Sequence, residues 1–307
     1  MLMYDLIIIG GGPGGVAAGV YAARKKIKTL LITESFGGQS LVSAEVKNWI
    51  GTKAVSGFDL GKMLEEHLRD QEDIEIIADD VVTKVEKLEN GFRASTKNGK
   101  SFEARYLLLA IGSRHRKLGV PGEKELDGRG VVYCSTCDAP IFKNKVVAVV
   151  GGGNAGLEAV HDLFPYASKI YLIIRSDSMK GDPITQEKVK ASPKVEIIYN
   201  ALTQKILGDK FVAGLLYKDA KTGGVKELKL DGVFVEIGAL PNSDIVKGLV
   251  NLDERGQVVV NHKTQETSCP GIWAVGDVTD VLYKQNNISA GDAVKAVLNI
   301  YDSVKKH

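Results

Sequence analysis

Three short clusters in this 307-residue chain combine residue types and spacings that can do chemistry. Cys134 and Cys137 lie two residues apart in Val131-Val-Tyr-Cys-Ser-Thr-Cys-Asp138. Such a pair can cycle between dithiol and disulfide by exchange with another thiol pair. Gly10-Gly-Gly-Pro-Gly-Gly15 and Gly151-Gly-Gly-Asn-Ala-Gly156 each carry glycine at the first, third and sixth positions. That spacing suits a turn whose backbone can approach a dinucleotide pyrophosphate. A dithiol beside two nucleotide turns has the layout of a wire: electrons enter from one nucleotide, cross a second and leave through sulfur.

A glycine turn binds phosphate only between a strand and a helix. Tyr4–Ile9 is an apolar run that predicts a strand, Pro13–Lys26 reads as a helix, and Lys28–Thr33 reads as a second strand ending at Glu34. Gly10 then permits the tight turn, Gly12 admits the pyrophosphate, and Gly15 lets the helix pack on the strand. Glu34 is placed to accept hydrogen bonds from a ribose. The second copy is offset by 141 residues at each of these positions, with Lys145–Val150 as strand, Asn154–Phe164 as helix and Lys169–Ile174 as the next strand. Gly151, Gly153 and Gly156 repeat the glycine roles, and Arg175 takes the place of Glu34. One such fingerprint is weak evidence; two with matching context are strong.

Between residues 74 and 109, Glu75–Ile77, Val81–Leu88, Gly91–Thr96 and Ser101–Leu109 alternate like strands and predict a β-meander inserted in the first domain. The expected fold class is α/β: two Rossmann-like, three-layer ββα dinucleotide-binding domains, the second inserted into the first. The boundaries expected are 1–113 with 242–307 for the first domain and 114–241 for the second, which carries the cysteine pair.

The cysteine pair itself has several readings. Zinc needs about four ligands, and His115, His161 and His262 show no ligand spacing, so no metal site is expected. A thioredoxin-type site would need its own fold around the pair, and a structural pair would do no chemistry. A redox disulfide fed by a flavin is the favoured reading. Ser135 and Thr136 suit the opening of a helical turn, which would stabilise a thiolate, and Asp138 is placed to protonate a departing one. Cys269, alone before Pro270, reads as a small buried residue.

Composition narrows the class. A net charge of +2 gives no footprint for nucleic acid. No apolar run reaches the ~18 residues of a membrane span, and Leu6–Ile9 lacks the basic flank of a signal peptide. A cytoplasmic setting is expected, where persistent disulfides are usually catalytic.

Together with Phe36-Gly-Gly-Gln39, Asn48-Trp49, Val120-Pro-Gly122, Ile237-Gly238, Pro241-Asn242, Gly271-Ile-Trp-Ala-Val-Gly-Asp277 and Tyr283-Lys-Gln285, these motifs resemble the low-molecular-weight thioredoxin reductase family. They are similar also to the flavoprotein subunit of bacterial alkyl hydroperoxide reductase, without its N-terminal thioredoxin-like region. The resemblance runs from Tyr4 to about Val304. It implies FAD in the first domain, held by Gly10, Gly12, Pro13, Gly14, Gly15, Glu34, Gly38, Gln39, Asn48, Val82, Ala110, Gly112, Gly276, Asp277, Lys284 and Gln285. It implies a nicotinamide nucleotide in the second, held by Gly151, Gly153, Asn154, Gly156, Arg175, Ser176 and Lys180. Cys137 would lie nearer the flavin and Cys134 would attack the substrate disulfide. The acceptor would be a separate thioredoxin-like protein or a peroxiredoxin system, and the chain would be a homodimer. The second domain would rotate about linkers near Gly112–Arg116 and Gly238–Leu240.

Three departures stand out. Ala110-Ile-Gly112 replaces Ala-Thr-Gly, Ala139 replaces a glycine after the redox Asp, and Ile174-Arg-Ser176 with Lys180 replaces His-Arg-Arg with a later Arg. Arg175, Ser176 and Lys180 still offer a modest 2′-phosphate site, and no acid marks NADH. NADPH is therefore expected before NADH, with a ferredoxin or deazaflavin donor as the third reading. Two rival classes stay open: a flavoenzyme with an idle cysteine pair, and a nucleotide-binding regulator without turnover.

Overall fold

Leu6, Ile7, Ile8 and Ile9 carry no polar side chain and are at most 4% exposed, so their strand must be covered on both faces. The computed structural model, which describes residues 3–43 and 46–305, supplies that cover with helices on one face and antiparallel strands on the other. The chain divides into two units, Met1–Arg114 with Leu240–His307, and His115–Ala239.

The first unit opens with β1 (Tyr4–Gly11), α1 (Pro13–Arg24), β2 (Thr29–Phe36), α2 (Gly57–Arg69), β3 (Ile74–Ile77), β4 (Val82–Leu88), β5 (Gly91–Thr96) and β6 (Ser101–Leu109). Its sheet runs β3-β2-β1-β6-β5-β4. The strands from β3 to β6 along that order are parallel, while β5 and β4 continue it antiparallel. Pro13 suits the first helical position because its missing N–H would have no partner there. Lys26 adopts a left-handed conformation (φ 57°), which stops α1 at Arg24, two residues short of the expected end. Ser56 caps α2 by accepting a hydrogen bond from the Asp59 amide.

The expected meander needs one correction. Glu75–Ile77 belongs to β3, which pairs in parallel with β2, Thr29 opposite Ile74. The reason is α2: its amphipathic run provides the crossover a parallel strand requires, and a strand returning from a crossover rejoins the parallel sheet. The antiparallel part is β4-β5-β6 alone.

After β7 (Ser113–His115) the second unit repeats the scheme. It contains β8 (Val131–Val132), α3 (Ser135–Asp138), β9 (Val146–Val150), α4 (Asn154–Leu163), β10 (Lys169–Ile173), α5 (Pro183–Ala191) and β11 (Val195–Ile198). Then come β12 (Ala201–Gly208), β13 (Val212–Asp219), β14 (Val225–Lys229), β15 (Gly232–Val235) and β16 (Ala239–Pro241). The order β11-β10-β9-β15-β8 is parallel throughout, and β12-β13-β14 form an antiparallel sheet. Two apolar clusters cover the two faces of the parallel sheet. The chain then rejoins the first unit through β17 (Ile272–Ala274), parallel to β6, and α6 (Asn286–Val304). Trp273 ties α6 to the sheet, its indole N–H donating to the Asn299 side chain at 2.9 Å. The fold is thus the α/β pair of dinucleotide-binding units that the two fingerprints implied, the second inserted into the first.

Candidate functional site

In the first unit, the sharp turn from β1 into α1 forces a close approach. Gly10 sits at φ 111°, and a side chain at Gly15 would collide with the Gly10 carbonyl oxygen. Gly12, at the helix start, is different. A Cβ there would meet only the Gly38 Cα, at 3.9 Å, so the space beside it is open. The first turn of α1 holds no acidic residue and no side chain caps it, which leaves its amides for an anion.

That space is a cleft of about 580 Å³. Of the residues expected for FAD, it gathers Gly10, Gly12, Pro13, Gly14, Glu34, Gly38, Gln39, Val82, Ala110, Gly112, Asp277 and Gln285. Gly15, Asn48, Gly276 and Lys284 stand behind the wall. Gly276 packs against Ser289, and Asn48 donates to the Gln285 side chain at 3.1 Å. The Lys284 ammonium turns to the Thr279 carbonyl. Burial lowers the Lys284 pKa, with Asp277 opposing; burial raises that of Asp277, with Lys284 opposing. Asn286 and Ser289 also line the cleft, and Asn286 donates to Ser40 Oγ at 2.8 Å. Asn242 lines it too, its side chain donating to the Ile111 carbonyl at 2.8 Å. Asn242 lies in a quoted motif, but nothing in its local sequence says that it reaches the turn after β6.

The second unit builds the same turn. Gly151 sits at φ 142°, Gly156 packs on the Gly151 carbonyl, and nothing lies within 4 Å of a Cβ placed at Gly153. The loop after β10 folds back onto this turn. The Lys180 amide donates to the Gly152 carbonyl at 2.7 Å, and the Asp182 amide donates to Asn154 Oδ1 at 2.7 Å. Arg175 and Lys180 are therefore held near the glycine turn with exposed side chains, while the Ser176 hydroxyl donates to the Ser178 carbonyl. Ile174 is buried, its Cγ2 2.8 Å from where a Gly152 Cβ would stand, so its side chain packs rather than reaching a nucleotide.

Cys134 and Cys137 form a disulfide with Cα atoms 5.3 Å apart. Cys134 caps α3, its sulfur accepting from the Cys137 amide at 3.2 Å. An amide aimed at sulfur favours the anion over the thiol. Both cysteines are half-buried, so exchange with an incoming disulfide is feasible. The remaining cysteine, Cys269, is free and packed in the first unit's core.

Burial pushes the Asp138 carboxyl from its ordinary 3.8 up to about 6. The sign follows from linkage. An acid raised on folding costs nothing below its unfolded value, and the cost grows as pH rises until the folded group has ionised. The D138N variant removes this titration. Its melting temperature should match the wild type's near pH 3.5 and exceed it by a few degrees at pH 8. The same offset at both pH values would rule out burial of the charge as the cause.

Two α/β units that each carry a dinucleotide-type glycine turn, one of them with a disulfide at a helix start, have the build of the nucleotide-binding disulfide proteins. Residues 4–296 match the model of the pyridine nucleotide-disulphide oxidoreductase family, and the chain belongs to that family. It is 42% identical over 303 residues to the F subunit of alkyl hydroperoxide reductase from Pseudomonas aeruginosa, a match covering 97% of this chain and 58% of that protein. It is 38% identical over 301 residues to the corresponding protein of Staphylococcus epidermidis, covering 98% and 59%. The chain thus spans just under three-fifths of the curated relatives it matches. Its structure superposes on the thioredoxin reductase of Streptococcus pyogenes with a TM-score of 0.92 at 32% identity, covering 99% of both chains. For the thioredoxin reductase of Giardia duodenalis the TM-score is 0.91 at 30% identity, covering 99% of this chain and all of that one. These likenesses bear out the resemblance carried by the motifs.

Proposed function

We propose that the chain is an FAD-dependent disulfide reductase that takes electrons from NAD(P)H and delivers them through Cys134–Cys137 to the disulfide of a thioredoxin-like protein. The observation that carries this reading is the disulfide itself, held at the start of α3 in a unit that also carries the second glycine turn. The first cleft suits FAD in its chemistry. Gly12 and Gly38 leave room for a diphosphate at uncapped helix amides, Glu34 is exposed for a ribose, and Asp277 and Gln285 line the cleft near the α6 start. FAD bound there would supply two-electron chemistry between a nicotinamide and a disulfide.

The chain's residues do the rest. Gly151, Gly153, Asn154 and Gly156 would seat the nicotinamide nucleotide's diphosphate. In the reduced pair, the Cys134 thiolate attacks a substrate sulfur and displaces one substrate thiolate, which Asp138 can protonate. Cys137 then attacks Cys134 of the mixed disulfide, frees the second substrate thiolate and closes the Cys134–Cys137 bond. The substrate gains the two electrons that the pair loses.

Anaerobic titration with NADPH and NADH separately, following flavin absorbance, tests the entrance. NADPH should bleach the flavin fully at about two equivalents, one for the Cys134–Cys137 disulfide and one for the flavin, and failure of both nucleotides would overturn a nicotinamide donor. Arg175 is the cation best placed for the 2′-phosphate, as the exposed residue two positions past the end of β10, directly after buried Ile174. The R175A variant should therefore raise the KM for NADPH on the order of tenfold and leave that for NADH nearly unchanged. Equal effects on both would place the preference elsewhere.

The 42% identity to an alkyl hydroperoxide reductase component favours a second reading of the acceptor: a thioredoxin-like carrier serving peroxide reduction. Comparing turnover with thioredoxin and with a peroxide-reducing system separates the two.

A further inference from the structure

Glu236 follows β15 directly and belongs to none of the motifs. Its backbone lies against the second glycine turn: its amide donates to the Val150 carbonyl at 2.9 Å, and a Cβ on Gly151 would collide with its carbonyl oxygen. Its side chain reaches the other way. β15 runs parallel to β8 with Phe234 opposite Val132, which brings Glu236 level with Cys134 and its carboxylate towards the Ser135 amide, one residue further on. The Ser135 hydroxyl in turn donates to Asp162 Oδ2 at 2.8 Å. The first residue of the redox helix is thus held by its hydroxyl, with Glu236 on the side of its amide. The charged groups facing Glu236 are Asp138 from α3 and Glu158 and Asp162 from α4, all acidic.

We propose that Glu236 is a positioning residue for the disulfide: it ties the start of the redox helix to the second glycine turn, and its charge governs how readily Cys134 ionises. This rests on the reading of Cys134 as the attacking thiol. A glutamate adjoining three other carboxylates is a poor structural brace unless it holds a proton, because ionised neighbours repel. Burial chiefly raises its carboxyl to about 8, the three acids add to this, and the Ser135 hydrogen bond opposes it. Below that pH Glu236 is neutral and adds no charge against the Cys134 thiolate that the Cys137 amide stabilises. Above it, a negative charge on the Ser135 amide works against that thiolate.

The test uses the flavin-loaded protein, reduced with excess dithiothreitol, freed of reductant anaerobically and alkylated with iodoacetamide across pH 6 to 10. Peptide mass spectrometry reads the rate at Cys134. E236Q keeps an acceptor for the Ser135 amide but cannot ionise. Its rate should equal wild type near pH 6.5 and exceed it severalfold near pH 9, with a single, lower midpoint. E236A loses acceptor and charge alike, so its profile should shift as that of E236Q does, while its disulfide turnover falls severalfold below that of E236Q. Superimposed profiles for wild type and E236Q, or equal turnover for E236Q and E236A at normal fold when the wild type reduces disulfides, would overturn the proposal. Alkylation needs neither electron donor nor partner. A protein that alkylates as expected but reduces no disulfide substrate would therefore count against the proposed function and not against Glu236.

Discussion

Replacing Cys134 with serine should reduce disulfide turnover on the order of a thousandfold or more, while nicotinamide still bleaches the flavin. A serine hydroxyl stays protonated at any pH the protein survives, and oxygen does not take part in thiol–disulfide exchange. The structural cost of the change is small, because Cys134 is half-buried and serine is a good helix cap for the Cys137 amide. Loss of turnover would therefore report chemistry and not unfolding. The companion C137S variant should behave differently. Cys134 can still attack, but nothing resolves the mixed disulfide, so a covalent adduct with the acceptor accumulates and survives a non-reducing gel. That adduct would also identify the acceptor. Turnover of C134S at the wild-type rate would remove the dithiol from the pathway and leave a flavoenzyme with an idle pair.

The parts of this molecule legible in its sequence are those where the chemistry is local. Gly10 and Gly15 lie within one turn, and each is required by a backbone angle or a close contact that the same few residues create, while Gly12 between them faces open space. The cysteine pair is legible for the same reason, since the capping amide at Cys137 is only three residues from the sulfur it faces. What is not legible depends on distant strands meeting. Glu75–Ile77 reads as part of a meander because so short a run carries no mark of the strand it will pair with; the α2 crossover decides that. Asn286 and Ser289 reach the first cleft only because α6 packs over β17 and brings its start to the glycine turn. Glu236 is the extreme case. At the end of a buried strand it reads as a sheet residue, and only the parallel order β9-β15-β8 places it beside Ser135.

The two nucleotide sites can be separated by one kind of substitution. Gly12→Val should abolish FAD retention, weakening it about a hundredfold or more, which corresponds to roughly 2.7 kcal/mol. The argument turns on what surrounds the position. Gly12 has φ −70° and ψ −178°, an extended conformation any residue adopts, and its Cβ direction meets only Gly38 Cα at 3.9 Å. The polypeptide therefore gives no reason for glycine there, and the valine methyls would occupy space that a diphosphate needs at the start of α1. Gly153 repeats the logic, with φ −94°, ψ −173° and nothing within 4 Å. Gly153→Val should leave the flavin bound and yellow but raise the nicotinamide KM by a similar factor. Gly15→Val is the contrast, since its side chain would strike the Gly10 carbonyl and should lower the melting temperature before any ligand is added. Thermal denaturation of the flavin-free proteins, followed by FAD titration, distinguishes these outcomes. If G12V held FAD as tightly as wild type, the diphosphate would have to pass elsewhere, and the first cleft would lose its assignment.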